Sequence, residues 1–304
     1  MNKMIPSINY HLWKPCNASC KFCFASFEDT KEYLPKGHLS KEESFEVIDK
    51  IILAGFDKIT FVGGEPTLCP WLPDLIKRAK LGGLTTMLTT NGFLLDNDKY
   101  LNILSNYLDW ITLSIDSLQE TINLKTGRHT KSIIPDEDFY RNIITRIKGH
   151  GFRLKINTVV SKLNYSENLT KFILDIYPER WKVFQVLPIK KQNDKNILNF
   201  KINTLQFNLF KHNHQKLYKL GVDVVFEDNQ AMVESYLMID PAGRFIDNSN
   251  QIYKYSSPIL EVGISKAYTE ININYKKFIK RNGLYNWSND KDKFTNFYDE
   301  EIRA

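Results

Sequence analysis

Cys16, Cys20 and Cys23 put three thiols within eight consecutive positions. Cysteines that close share one loop and can hold a single cluster or ion. Thiolates are the ligands of iron–sulfur clusters, whose all-protein sites usually take four of them. Three leave one iron open. The competing reading is a structural zinc site with Cys69 as the fourth ligand, but zinc sites pair short C-x2-4-C units at two places, which a triplet and one remote cysteine match poorly. Cys69 then reads as an ordinary small residue.

Other residues with chemical potential follow at the ends of apolar runs. Gly63-Gly64-Glu65-Pro66 comes about forty residues after the cysteines. Its glycines let backbone approach a ligand closely, and Glu65 offers a carboxylate to an ammonium. Thr90-Asn91-Gly92, Ser114-Ile115-Asp116-Ser117 and Gly127-Arg128 close or follow later runs. Side chains alternate along a strand, so Lys155 and Asn157 share one face of a strand, as do Arg180, Lys182 and Phe184 on the next. With those faces inward, Lys155, Arg180 and Lys182 converge, and buried unpaired cations imply an interior anion. The alternative has the lysines reaching the rim or pairing with carboxylates. Lys58, which opens an earlier strand, is less informative.

The elements that must position these residues are legible as alternating apolar runs and amphipathic stretches, the pattern of strand–helix repeats around a parallel sheet. Strands are predicted at 8–13, 58–62, 85–89, 110–115, 154–160 and 181–187. Ser40-Lys41-Glu42-Glu43 is a capping box that opens a helix running to about Ala54, with Gly55 as its stop. Helical patterns also cover 72–81, 97–105, 136–149, 166–176 and 205–220. Six such units predict an α/β partial or closed barrel with its site at the carboxyl ends of the strands. Residues 190–201 read as a polar loop, 222–226 as a further strand, and 235–239 with 243–246 as a hairpin around 240–243. The tail from Lys291 is highly charged and is expected to fray.

The 304 residues carry 41 Lys and Arg against 35 Asp and Glu, a net charge of +6. The basic residues are scattered, so nucleic-acid binding is not expected. No signal peptide or membrane-length apolar stretch is evident, which predicts a cytoplasmic protein with no membrane association.

The cysteine spacing, with Gly63-Gly64-Glu65-Pro66 on the following strand, resembles the radical S-adenosylmethionine (SAM) superfamily. That resemblance implies a partial (βα)6 radical SAM barrel, a [4Fe-4S] cluster on Cys16, Cys20 and Cys23, and S-adenosyl-L-methionine on the open iron. It implies Phe22 against the adenine, Gly63, Gly64, Glu65 and Pro66 at the methionine amino group, and Asn91, Ser114 and Arg128 lining the pocket, with Arg128 meeting the carboxylate. Over most of its length the sequence is also similar to the viperin family. The segments are Asn9-Tyr10-His11, Cys23-Phe24, Lys155-Ile156-Asn157, Arg180-Trp181-Lys182-Val183-Phe184-Gln185, Asn229-Gln230 through Ser235-Tyr236-Leu237, and Lys280-Arg281-Asn282-Gly283.

By that similarity the substrate is a nucleoside triphosphate, CTP foremost with UTP or GTP as alternatives. The product is its 3′-deoxy-3′,4′-didehydro analogue, an antiviral chain terminator. Lys155, Arg180 and Lys182 would bind the triphosphate with Lys58 and Asn157 nearby, while Asn9 and His11 seat the nucleotide. Tyr236 would stand near the sugar as proton donor, and Lys280 and Arg281 would belong to a C-terminal segment closing over the active site. A barrel core at 1–190, an extension at 191–304, a flavodoxin or ferredoxin as electron donor and a monomer are expected. Two departures concern base choice and the closing segment: Val62 replaces a Ser of the vertebrate pattern, and Asn282 replaces a Gly. The N-terminal membrane anchor of vertebrate viperin is expected to be missing. Competing activities are radical SAM peptide modification, glycyl-radical activation, and nucleotide sensing by a zinc-stabilised protein.

Overall fold

The computed structural model describes residues 4–288 apart from positions 31, 32 and 35. The charged tail from Lys291 lies outside the described residues. In chain order the elements are β1 (Ser7–Trp13), α1 (Lys41–Leu53), β2 (Lys58–Gly63), α2 (Leu72–Leu81), β3 (Thr85–Thr90), α3 (Asp98–Ser105), β4 (Trp110–Ser114), α4 (Glu120–Thr126), α5 (Glu137–Gly149), β5 (Arg153–Val160), α6 (Thr170–Ile176) and β6 (Arg180–Gln185). After them come α7 (Thr204–His214), α8 (Lys216–Lys219), β7 (Val224–Glu227), α9 (Asn229–Met232), β8 (Met238–Ile239), β9 (Ile246–Asp247), β10 (Lys254–Tyr255), α10 (Ile259–Tyr268) and α11 (Tyr275–Lys280).

Local chemistry explains most boundaries. Ser40 accepts a hydrogen bond from Glu43 N while Glu43 reaches back to Ser40 N, the reciprocal cap that starts α1. Asn97 and Asp136 cap α3 and α5 in the simpler way. Expected from 166, α6 begins only at Thr170. Ahead of it Asn164 Oδ1 accepts from Ser161 N at 2.7 Å, which diverts the backbone into a turn.

Eight strands form one sheet in the order β7-β6-β5-β4-β3-β2-β1-β8, and every neighbouring pair is parallel. Two edges remain, so the barrel is partial. The outward residues of β1 and β2, among them Ile8, Tyr10, Ile59 and Phe61, are fully buried in the main core. Their inward neighbours Asn9, His11, Lys58 and Thr60 are polar and line a cavity. Residues after 190 supply both edge strands.

The expected hairpin reduces to one antiparallel bridge, Ile239 to Phe245, across a tight turn closed by Gly243 N on Asp240 O at 3.0 Å. Instead, β8 lies beside β1 and β9 pairs with β10. No helix of the described residues is long and apolar enough to cross a membrane.

Candidate active site

A cavity of about 870 Å³ runs through the half-barrel from the cysteine loop to the starts of the strands. At the cysteine end, two glycines grip the loop. Glu65 N donates to Pro15 O at 2.9 Å and Gly64 N to Trp13 O at 2.5 Å, and a Cβ on Gly64 would collide with the Lys14 and Pro15 carbonyls. From the other side Ser19 N donates to Gly127 O at 3.1 Å and Lys21 N to Thr126 O at 2.8 Å. Gly127 has φ +82°, and a Cβ there would strike Ser19 O. A third tether is Asn193, whose Nδ2 donates to Phe22 O at 3.0 Å from the otherwise irregular 190–201 segment.

The cysteines thus sit on a loop fixed from three directions. As free thiols they are pushed up by burial, Cys16 to about 11 and Cys23 to about 12, so the thiolate form calls for a bound cation. Among the described residues no three His, Cys, Asp or Glu side chains converge on a single-ion position. A group larger than one ion, with thiolate ligands at separate corners, suits this loop, and iron–sulfur clusters take that donor.

Around the loop stand the other strand-end residues. The Glu65 carboxylate accepts from Thr67 Oγ1 at 2.6 Å and Thr90 Oγ1 at 2.7 Å on one oxygen and from Asn91 N at 2.9 Å on the other. It therefore locks β2 to β3, with one accepting position left on Oε2. Asn91 Nδ2 donates to Asn17 Oδ1 at 2.7 Å. Arg128 is buried and its Nε donates to Asp116 Oδ2 at 2.6 Å, beside the Phe22 ring. Ser114 and Phe22 line the cavity, whereas Pro66 does not and serves as the first residue of a short 3-10 turn.

At the other end the strand register brings cations together. Lys155 lies opposite Arg180, and Asn157 opposite Lys182, on the inward face of β5 and β6. Lys58, Lys155, Arg180, Lys182 and Arg281 are all buried, with Glu227 and Asp223 as the carboxylates that meet them. The basic side chains in this group outnumber those carboxylates by three. Lys155 has neither hydrogen bond nor ion pair among the described residues; burial, then Arg180, lowers its pKa to about 7. Lys58 is pushed well down, mainly by burial and then by Lys155 and Lys182.

The strand starts are closed by the segment after α11. Trp110 Nε1 donates to Trp287 O at 2.9 Å, Arg153 Nη2 to Asn286 O at 2.9 Å and Arg180 Nη2 to Asn282 O at 2.7 Å. Lys58 Nζ lies 4.6 Å from the Trp287 ring centroid and 4.9 Å from that of Tyr285. Asn282 takes φ +55°, a left-handed conformation that asparagine tolerates nearly as glycine does.

Between the two ends sits Tyr236. Its hydroxyl donates to Glu227 Oε2 at 2.5 Å and accepts from Lys182 Nζ at 2.6 Å, while Lys182 also pairs with Glu227. The Arg281 guanidinium lies 3.5 Å above the Tyr236 ring. Burial, with Glu227 adding to it, raises the phenol well above its ordinary pKa.

Of the expected site residues, Cys16, Cys20, Cys23, Phe22, Gly63, Gly64, Glu65, Asn91, Ser114, Arg128, Asn9, His11, Lys58, Lys155, Asn157, Lys182, Arg281 and Tyr236 line the cavity. Arg180, on the same inward face, does not line it: its guanidinium lies 4.0 Å from the ring centroid of Tyr285, a lining residue, and pairs with Asp223 at 2.7 Å. Lys280 is exposed on α11 and does not reach it. His11 Nδ1 and Asn157 Oδ1 are buried without partners, so both are available to a ligand. Sequence reasoning missed Glu227, Asp116, Asn193, Tyr285 and Trp287. Glu227 was within reach, since it follows directly on the predicted strand 222–226 and alternation, carried one residue further, puts it on the face of Val225.

The Radical SAM superfamily model matches residues 12–173. The chain is 53% identical over 287 residues to a protein of Flammeovirga pacifica named S-adenosylmethionine-dependent nucleotide dehydratase, covering 94% of this chain and 97% of that one. It is 32% identical over 298 residues to S-adenosylmethionine-dependent nucleotide dehydratase RSAD2 (viperin) of Oncorhynchus mykiss, covering 93% and 80%. The solved structure of anSMEcpe with bound AdoMet superposes with a TM-score of 0.68 over 90% of this chain and 82% of that one, at 16% identity, a likeness of fold.

Proposed function

Because the chain belongs to the radical SAM superfamily and to the viperin-like proteins within it, we propose that it dehydrates a nucleoside triphosphate to the 3′-deoxy-3′,4′-didehydro analogue, a chain terminator, with CTP as the favoured substrate and UTP and GTP as alternatives. The observation that carries this reading is the surplus of buried cations at the strand starts. An ordinary packed interior does not gather three basic side chains beyond its carboxylates, and a triphosphate would hold them in the charged form and neutralise them.

Cys16, Cys20 and Cys23 would hold a [4Fe-4S] cluster, and Gly63, Gly64, Asn91, Ser114 and Arg128 would surround S-adenosylmethionine. Together the two groups would supply a 5′-deoxyadenosyl radical, the hydrogen acceptor for the ribose 4′ position. This chain's residues do the rest. Lys58, Lys155, Lys182 and Arg281 seat the triphosphate at the closed end, which points the ribose toward the cysteine loop. Arg180 acts without lining the cavity, by holding the Asn282 carbonyl and crowding Lys155 with positive charge.

Loss of the 3′-hydroxyl as water from the C4′ radical requires a proton and a second electron, the electron coming from the external reductant. The Tyr236 hydroxyl keeps its proton at neutral pH because its pKa is raised, and a departing hydroxide is a stronger base still. Lys182, hydrogen-bonded to the same oxygen, is placed to replace that proton. Glu227 balances Lys182 and Arg281. The closed floor of Tyr285 and Trp287 seals the strand starts, which keeps bulk water from the phosphate-binding cations and strengthens their hold on the triphosphate.

Mass spectrometry of reduced enzyme with S-adenosylmethionine and each of CTP, UTP, GTP and ATP tests the proposal. The expected result is a nucleotide lighter by one water, formed with 5′-deoxyadenosine. If a peptide substrate were modified while all four nucleotides stayed intact, the reading would be wrong.

A further inference from the structure

The reaction proposed above consumes two electrons delivered one at a time, so a reductant must reach the cysteine loop from outside. The outer face of that loop is built by α4 and the turn after it. Lys21 N donates to Thr126 O at 2.8 Å and Ser19 N to Gly127 O at 3.1 Å, which lays the end of α4 directly on the loop. Asn123 Nδ2 donates to Pro135 O at 2.8 Å and folds the 130–135 turn against the same helix.

Lys21, Lys125 and Lys131 are exposed on these three segments. Among the described residues none of the three ammonium groups makes a hydrogen bond or ion pair. Leu124 on α4 and Ile134 in the turn are 49% and 38% exposed on the same adjoining segments. The exposed carboxylates nearest in sequence are Glu28, which pairs with Lys14, and Glu120 and Asp138, which stand at the other end of α4 and in the first turn of α5. Lys21 follows Cys20 directly, so their Cα atoms are about 3.8 Å apart. A partner seated here is one residue from a cluster ligand.

We propose that this surface, Lys21, Lys125 and Lys131 with Leu124 and Ile134, is the docking site of an acidic protein electron carrier of the flavodoxin or ferredoxin kind. Exposed apolar side chains and cations without acidic partners, on segments packed against the cysteine loop, are what an acidic carrier complements. The small extent of this surface suits the brief encounters of redox partners, which bury under roughly 1,200 Å². In each encounter one electron passes to the cluster, the carrier being oxidised by one electron and the cluster reduced by one. The inference rests on the proposed function only for the need of a reductant.

The test follows cluster reduction itself by stopped-flow absorbance on anaerobic holoenzyme without nucleotide, so failure of the dehydratase reading leaves it interpretable. With a reduced acidic flavodoxin at low salt, Lys125→Glu with Lys131→Glu should lower the second-order rate roughly tenfold or more, and added salt should erase the difference. Reduction by a small neutral photoreductant should be unchanged, and Lys219→Glu on α8 should have no effect. Equal loss in the Lys219→Glu control, or an unchanged rate in the double variant, would overturn the proposal. Zero-length carboxyl-to-amine cross-linking of oxidised flavodoxin to the wild type reads the same surface without substitution. Links at Lys125 or Lys131 support the site; links confined to other lysines overturn it.

Discussion

Lys155→Met should make the ligand-free protein more stable and the nucleotide complex weaker. The Lys155 ammonium is buried and unpaired, and burial with Arg180 lowers its pKa from 10.5 to about 7, against which Glu227 and Asp223 act only in part. That displacement corresponds to roughly 5 kcal/mol of unfavourable interaction for the charged form. The unfolded chain holds this proton up to about pH 10.5 and the folded one releases it near 7. Between those values the unfolded state binds more protons, so the stability of the ligand-free protein rises with pH there, and the penalty is complete below pH 7.

Methionine fills similar volume without charge. Replacements of this kind commonly stabilise by about 1–4 kcal/mol, and here the gain should be largest near pH 6 and shrink toward pH 10. The same change removes a charge-assisted contact to phosphate worth about 1.5–3 kcal/mol, weakening triphosphate binding roughly tenfold to a hundredfold. Denaturant unfolding at acid and alkaline pH measures the first effect and titration calorimetry the second. Calorimetry of the wild type near pH 8, repeated in buffers of different ionisation enthalpy, should also show net proton uptake on triphosphate binding, since Lys155 and Lys58 are both depressed in the free protein. A Lys155→Met protein that is less stable and binds the triphosphate as before would refute the reasoning.

Replacing Cys16, Cys20 or Cys23 by Ala should abolish bound iron and 5′-deoxyadenosine formation, whereas Cys69→Ala should spare both; iron analysis of anaerobically purified protein decides this, and iron lost from the Cys69 variant would reassign the ligands. Tyr236→Phe should still form 5′-deoxyadenosine but slow the nucleotide product, because hydrogen abstraction precedes the proton step; equal slowing of both would indicate a positioning role. Gly127→Ala forces a side chain into a left-handed position at a cost of about 1–2 kcal/mol and drives its Cβ into Ser19 O, so iron content should fall while the far sheet edge keeps its hydrogen-exchange protection. The unphosphorylated nucleoside should bind far more weakly than the triphosphate; equal affinity in calorimetry would remove the cation argument.

Much of this architecture is local and therefore legible in the chain. Period-two alternation in the 154–160 and 181–187 runs placed Lys155, Asn157 and Lys182 on one face, and the observed register puts them there. Ser40 and Glu43 marked the start of α1 because both halves of that cap lie within four residues. The cysteine triplet and Gly63-Gly64 were readable for the same reason: the groups that act together are neighbours in sequence.

What only the tertiary structure decided depends on pairings across long separations. Whether Arg180 lines the cavity turns on Asp223 and Asn282, 43 and 102 positions away. Glu227 gains its role from meeting Lys182, Tyr236 and Arg281, three residues brought to it by separate elements. Lys280 and Arg281 are adjacent, yet Arg281 lines the cavity and Lys280 is exposed, because α11 ends between them and turns one side chain inward. Likewise 235–239 satisfies its backbone on β1 instead of its nearer neighbour 243–246, since an open edge of a buried parallel sheet offers more unpaired backbone groups than one short hairpin can supply.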